Sequence, residues 1–144
     1  WIMEPSSSQI NIRDGATAEE GTCLLAVSCL RLPPGDWSGL PLSRLLLEAI
    51  EGDDRDRIAM GPVHEATRDS LTLAWAELCV VDPSDHRECR SRMCLARGNG
   101  VQALITFDFW PEDEARLHPV WDGVLGSLRL GVPVEDPTKG ERIA

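Results

Sequence analysis

Residues 71–130 read LTLAWAELCVVDPSDHRECRSRMCLARGNGVQALITFDFWPEDEARLHPVWDGVLGSLRL, three strand-like runs joined by turn signals and followed by one amphipathic segment. In the first run Leu71, Leu73, Trp75, Cys79 and Val81 share a face broken only by Glu77, with Thr72, Ala74, Ala76, Leu78 and Val80 opposite. Asp82-Pro83-Ser84-Asp85 then turns the chain. The second run, Arg87 to Arg97, sets Cys89, Ser91, Met93 and Leu95 inward and Glu88, Arg90, Arg92 and Cys94 on the other side. We expect Gly98-Asn99-Gly100 to form a three-residue hairpin loop, because such a loop needs a residue at positive φ. It pairs Arg97 with Val101, Leu95 with Ala103, Met93 with Ile105 and Ser91 with Phe107, apolar against apolar. The same register puts Arg90 beside Asp108 and Arg92 beside Thr106.

After Pro111, the acids Glu112, Asp113 and Glu114 stand where a helix N-terminus favours negative charge. Leu117, Val120, Trp121, Val124, Leu125 and Leu128 form an apolar stripe closed by Gly131. Pro119 interrupts it, so we expect either a kink or a second helix starting near His118.

Working toward the N-terminus, Arg57 to Thr67 reads as a weak or edge strand, because Gly61-Pro62 breaks its ladder. Leu42, Leu45, Leu46, Ala49 and Ile50 recur at helical spacing, with Ser38 as expected N-cap, Pro41 in the first turn and Gly52 at the C-terminal cap. Thr22 to Leu32 is apolar on both faces and suits a covered strand inside a sheet. Gln9 to Arg13 offers a short strand, whereas Trp1 to Ser8 reads as polar and turn-rich. The two helix stripes need a sheet between them. The expected fold is therefore α+β, an antiparallel sheet with helices on both faces, in one domain over residues 1–131 with a C-terminal tail over 132–144.

A chain of 144 residues can bury a single core. A net charge of −10 opposes nucleic-acid binding, which relies on a basic stripe. No apolar run approaches the ~20 residues of a membrane span. The opening on Trp1 rather than Met points to residues removed upstream. Cys23, Cys29, Cys79, Cys89 and Cys94 are odd in number and include no CxxC pair, which suits free thiols in a reducing compartment and hence a cytoplasmic location.

Chemistry is sparse. His64, His86 and His118 match no HExxH or ribbon spacing, and His86 with Cys89, Asp85 and Glu88 cannot complete a rigid four-ligand site, so no metal and no cofactor are expected. Ser28-Cys29 lacks a nucleophile motif. Glu77 interrupts an apolar face near Trp75 but lacks an identifiable acid or base partner. No catalytic residue is assigned. Arg87, Arg90, Arg92 and Arg97 form a local basic cluster that reads as an ion-paired strand face, or else as a surface for an acidic partner. Trp37 and Trp110 stand at element boundaries and read as rim packing or partner anchors. Arg90, Arg92, Asp108 and Trp110 are accordingly the candidate partner-binding residues.

Strand Thr22 onward, Leu32-Pro33-Pro34-Gly35, a helix to Glu51, several antiparallel strands, Leu104-Ile105-Thr106-Phe107 and a last helix ending Ser127-Leu128-Arg129-Leu130 together resemble the PsbP-like family over residues 22–130. That family includes an extrinsic photosystem II subunit, a Ran-binding nuclear transport factor and many bacterial proteins. The resemblance implies an α/β/α sandwich and a non-enzymatic domain acting through protein contacts. It also implies that the family's first strand, which ends near a Trp, is absent or replaced, Trp1 being its remnant. No functional residues carry over.

Three expectations follow. The domain engages another protein through an exposed sheet face or edge, with a homodimer arising if the strand near Met60 to Val63 is covered by a neighbour. Alternatively it binds a small molecule, or is an enzyme, in a cleft between the last helix and the sheet, where Glu77, His118 and an arginine would have to meet. As a third reading it is an accessory domain of a larger envelope or secretion complex.

Overall fold

The computed structural model describes residues 1–6, 9–15 and 21–132. β1 (Ile2–Pro5), β2 (Ile10–Arg13) and β3 (Cys23–Arg31) precede α1 (Leu42–Glu51). β4 (Arg57–Met60), β5 (His64–Arg68), β6 (Leu71–Val81), β7 (Glu88–Gly98) and β8 (Val101–Phe109) follow, then a 3-10 turn at Pro111–Asp113 and α2 (Glu114–Ser127). Within the described residues the eight strands form one antiparallel sheet ordered β1-β2-β3-β8-β7-β6-β4, and β5 also pairs with β6. One helix packs on each face, the α+β sandwich expected from the two apolar stripes. Most of the tail expected from residue 132 lies outside the described residues.

The hairpin register differs from expectation by one residue. Gly98 pairs with Val101, so the loop is the two-residue Asn99-Gly100, and both have positive φ, 51° and 74°. Two such residues make a type I′ turn, whose twist matches that of the strands it joins. Leu95 therefore faces Leu104, Cys94 faces Ile105, Met93 faces Thr106 and Arg92 faces Phe107. Met93 and Ile105 consequently belong to opposite cores: Met93 packs under α1, Ile105 under α2. Arg92 and Cys94, expected on a polar face, are buried beneath α2.

Each core uses one face of β6 and β7. Leu42, Leu46 and Ile50 of α1 lie on Ala74, Ala76, Leu78, Val80, Met93 and Leu95. On the other side Leu117 and Trp121 of α2 cover Phe107 and Ile105; the Trp121 ring stacks on Phe107 at 5.8 Å and meets Trp75 edge-on at 5.6 Å. Leu45 and Leu125 are partly buried against these cores, as their stripes require. α2 runs continuously through Pro119, preceded by the 3-10 turn rather than divided at His118. Arg68 of β5 donates to the Leu125 and Leu128 carbonyls at 2.8 and 2.7 Å, placing a cation at the negative end of α2.

α1 begins one turn later than the Ser38 cap predicts, with Pro41 at the N-cap and no side-chain cap bond. Ser38 is already engaged: its N–H donates to the Asp36 side chain, while Arg97 holds the Trp37 and Leu40 carbonyls at 2.9 and 3.0 Å. Gly52 occupies the expected C-cap. The edge reading of Arg57 to Thr67 holds, since β4 and β5 lie end to end along β6 with Gly61-Pro62 between them. Residues 1–8, read as turn-rich, contain strand β1, an outer strand whose alternation is too short to register in the sequence.

Asp14 fastens β2 to β3. Burial pushes its carboxyl up, but hydrogen bonds from the Thr22 hydroxyl and N–H, the Cys23 N–H and Arg116 outweigh this and hold it at about 2. A carboxyl lowered from 3.8 in the unfolded chain to about 2 stabilises the fold above pH 4 and loses that contribution as pH falls toward 2. Asp14→Asn should therefore be less stable than the parent at pH 6 in urea unfolding, with the gap closing between about pH 4 and pH 2. At the hairpin, Gly100→Ala should cost ~1 kcal/mol through its positive φ, whereas Gly126→Ala, helical and facing open space, should gain up to ~1 kcal/mol. Urea midpoints of the two variants check both signs.

Candidate functional site

Helix α1 covers β6 and β7, and the same face of the sheet continues uncovered by either helix over β3, β2 and β1. That half presents Leu24, Ala26, Ser28 and Leu30 of β3, Asn11 and Arg13 of β2 and Ile2 and Glu4 of β1, with Leu30 54% and Ile2 38% exposed and Arg13 paired to Glu4 at 2.8 Å. Small residues occupy its middle: Ala26 pairs with Asn11 on one side and with Thr106 on the other. Three strands at ~4.8 Å spacing span ~14 Å, close to the ~10–12 Å width of one helix with side chains. Among the described residues this half-sheet is thus an uncovered, helix-wide seat beside α1, apolar along β3 and polar along β2, where Asn11 and Arg13 lie. The mostly apolar outer face of Thr22 to Leu32 signalled it in the sequence, although we expected that face to be covered.

On the opposite face, the structure brings Glu77, Arg92 and His118 together. The Arg92 side chain, 4% exposed, donates from Nε to Glu77 Oε1 at 3.0 Å and from Nη1 to His118 Nδ1 at 3.1 Å, and Glu114 Oε1 lies 3.7 Å from Nη2. Its guanidinium carbon is 5.2 Å from the Phe109 ring centre and 5.7 Å from that of Trp75, within cation–π range. Because a guanidinium only donates, His118 accepts at Nδ1 and carries its proton on Nε2, 3.3 Å from Asp122. The guanidinium itself fills the space between strand and helix. These groups latch α2 to the sheet, away from the concavities lined by Leu32 to Leu42 and by Ser43 to Glu51.

The four partner-binding candidates are dispersed, and the hairpin register is the reason. Arg90 lies on the α2 side, 3.9 Å from Glu77 and 3.5 Å from Glu88, not beside Asp108. Arg92 is buried and unavailable to a partner. Asp108 faces the α1 side, where Arg55 bridges it at 3.1 Å to Asp53 at 2.6 Å and donates to Ser91. Sequence reading missed Arg55, which lies in what looked like a solvated acidic loop. Trp110 packs on the rim of the α1 core, with Arg87 over its ring at 4.1 Å. His64 stacks on Trp75 at 4.3 Å, and His86 sits at positive φ in the β6–β7 turn.

All five thiols are free. Burial pushes Cys23, Cys89 and Cys94 up to about 12 and raises Cys29; burial together with its bond to Glu88 raises Cys79. Among the described residues no three His, Cys, Asp or Glu side chains gather as a metal set, and no helix is long and apolar enough to cross a membrane.

The family model for Alr1449 matches residues 1–134. The chain belongs to the Alr1449 family. The uncharacterized protein alr1449 of Nostoc sp. strain PCC 7120 is 38% identical over 141 residues, covering 97% of this chain and 73% of the relative. Among solved structures, PA94 of Pseudomonas aeruginosa, a protein of unknown function, superposes with a TM-score of 0.63 at 10% identity, over 88% of this chain and 85% of that one. Cyanobacterial PsbP from Synechocystis sp. PCC 6803 superposes with a TM-score of 0.50 at 15% identity, over 84% and 81%. At such identities the likeness is one of fold, and it gives this Alr1449-family domain the PsbP-like α+β architecture.

The latch under α2 makes an asymmetric prediction. Glu77→Gln leaves the Arg92 cation buried without its main counter-charge and should cost about 2–4 kcal/mol. Arg92→Met substitutes an apolar chain among Trp75 and Phe109 and should stay within about 1 kcal/mol of the parent. Chemical denaturation of the two variants and of the double variant measures the difference.

Proposed function

We propose that this Alr1449-family domain is a non-enzymatic protein-interaction module that receives an apolar helix of a partner protein on the bare half of its α1-side sheet. The single observation behind this reading is the seat itself: among the described residues α1 occupies one helix-width of that face, while Leu24, Ala26, Ser28 and Leu30 leave an adjacent width open. An apolar strip along β3 rimmed by the polar side chains Asn11, Arg13 and Glu4 is the kind of surface that marks interaction sites. The sheet edges serve less well. β1 and β4 are four residues long and β5 is five, and Gly61-Pro62 breaks the outer edge where a homodimer was expected.

The chemistry of the described residues supports the non-enzymatic part. Raised thiols are poor nucleophiles at neutral pH. Glu77, Arg92 and His118 are consumed in holding α2 rather than lining an open cleft.

A photoreactive phenylalanine analogue placed at Leu30, and for comparison at Leu47 on the outer side of α1, tests the reading in cells of the native host. We expect one dominant protein adduct from position 30, mapped by mass spectrometry to an apolar helix of the partner and reduced at least about tenfold by Ala26→Arg. Equal adducts from both positions, insensitivity to Ala26→Arg, or a dominant self-adduct would each overturn it.

A further inference from the structure

Charge is segregated along the strands of this acidic chain. Arg13, Arg55, Arg87, Arg90, Arg92 and Arg116 each have a carboxylate within 4 Å. Among the described residues Arg31, Arg68, Arg97 and Arg129 have none, and all four lie at the hairpin-turn end of the sheet. Arg31 pairs in the ladder with Val101, Arg97 with Gln102 and Arg68 with Leu71, while Arg129 adjoins Leu130, whose carbonyl accepts from the Asn99 side chain. Asp36 and Asp69 stand at this end too, whereas Asp53, Asp54, Asp56, Asp82, Asp85 and Glu112 gather toward the far end.

A concavity of about 670 Å³ opens at the arginine-bearing end, between the segment from Leu32 to Leu42 and the hairpin turn. That size suits a small ligand. Pro33, Pro34 and Trp37 supply an apolar wall, and Ser70, Thr72 and Asn99 supply polar atoms. Arg97 lies half-buried within it. Four hydrogen bonds go from its guanidinium to neutral acceptors only, the Trp37 and Leu40 carbonyls and the Gln102 amide oxygen. Its orientation is fixed, one Nη2 N–H is left for a ligand and no carboxylate pairs with its charge, the reverse of Arg55 and Arg92.

We propose that this concavity binds a small organic anion, a carboxylate or phosphate ester on an apolar body, with the charge at Arg97 and the body against Pro33, Pro34 and Trp37. A preorganised, partly desolvated guanidinium offers such a group its charge and one charge-assisted hydrogen bond from the remaining Nη2 N–H. The site adjoins the half-sheet at Gln102, which pairs with Leu30, so its test uses the purified protein without any partner.

The test is an NMR titration of isotope-labelled protein with α-naphthyl phosphate and α-naphthoate, with neutral α-naphthol and inorganic phosphate as the two halves of the ligand. We expect saturable shifts of the Trp37 indole and Gly100 amide signals with at least one organic anion, and dissociation constants at least about tenfold weaker for either half alone. The stronger of the two anions distinguishes a phosphate from a carboxylate source. Thr72→Phe, which fills the concavity beside Arg97, its partner across the ladder, should abolish the shifts while leaving the spectrum folded; Arg97→Gln should weaken binding at least about tenfold. Absence of shifts with both anions at millimolar concentration, equal binding of α-naphthol, or binding retained in Thr72→Phe would overturn the proposal.

Discussion

The turn at Asn99-Gly100 decides which core each residue of the two central strands enters. With two positive-φ residues and no more, it sets Gly98 against Val101, and every pairing in the hairpin follows from that contact. Met93 and Leu95 then serve α1, Cys94 and Ala96 serve α2, and Arg92 is carried under α2 to meet Glu77. A one-residue slip would send Met93 toward Trp121 and turn the Arg92 cation into the α1 core. Such a slip is opposed by electrostatics as well as by packing.

Much of this was legible beforehand, where alternation was strong or a breaker was present. The two faces of β6, the apolar stripes of both helices and the interrupted outer strand at Gly61-Pro62 emerge as read. Register was not legible, because β7 is buried on both sides: Cys89, Met93 and Leu95 on one, Cys94 and Ala96 on the other. When both faces are apolar, two neighbouring registers each match apolar to apolar, and only turn geometry separates them. The candidate surface failed for the same reason. Arg90 and Asp108 lie on opposite sides of the sheet, and Asp108 answers to Arg55, a residue from a loop that alternation says nothing about.

Two kinds of arginine emerge. Arg55 and Arg92 are internal cations, desolvated and repaid by carboxylates, hydrogen bonds and, for Arg92, two aromatic faces. Arg68 and Arg97 give hydrogen bonds to neutral acceptors and organise backbone, and neither has a carboxylate partner among the described residues. Composition counts all of them equally against the acids, which is why a net charge of −10 conceals arginines that no carboxylate pairs among the described residues.

Arg68 reaches from a five-residue outer strand to the last turn of α2, grasping two carbonyls of a helix that starts elsewhere in the fold. Fraying of that strand must therefore strip the helix of its terminal cation, and unwinding of the helix end must free the strand. Border and helix end become one cooperative opening unit, so their amides would share a common protection against solvent hydrogen despite standing some sixty residues apart in sequence. A short, interrupted strand at the rim of a sheet would ordinarily be its loosest member; here one side chain lends it the permanence of the core on the far side.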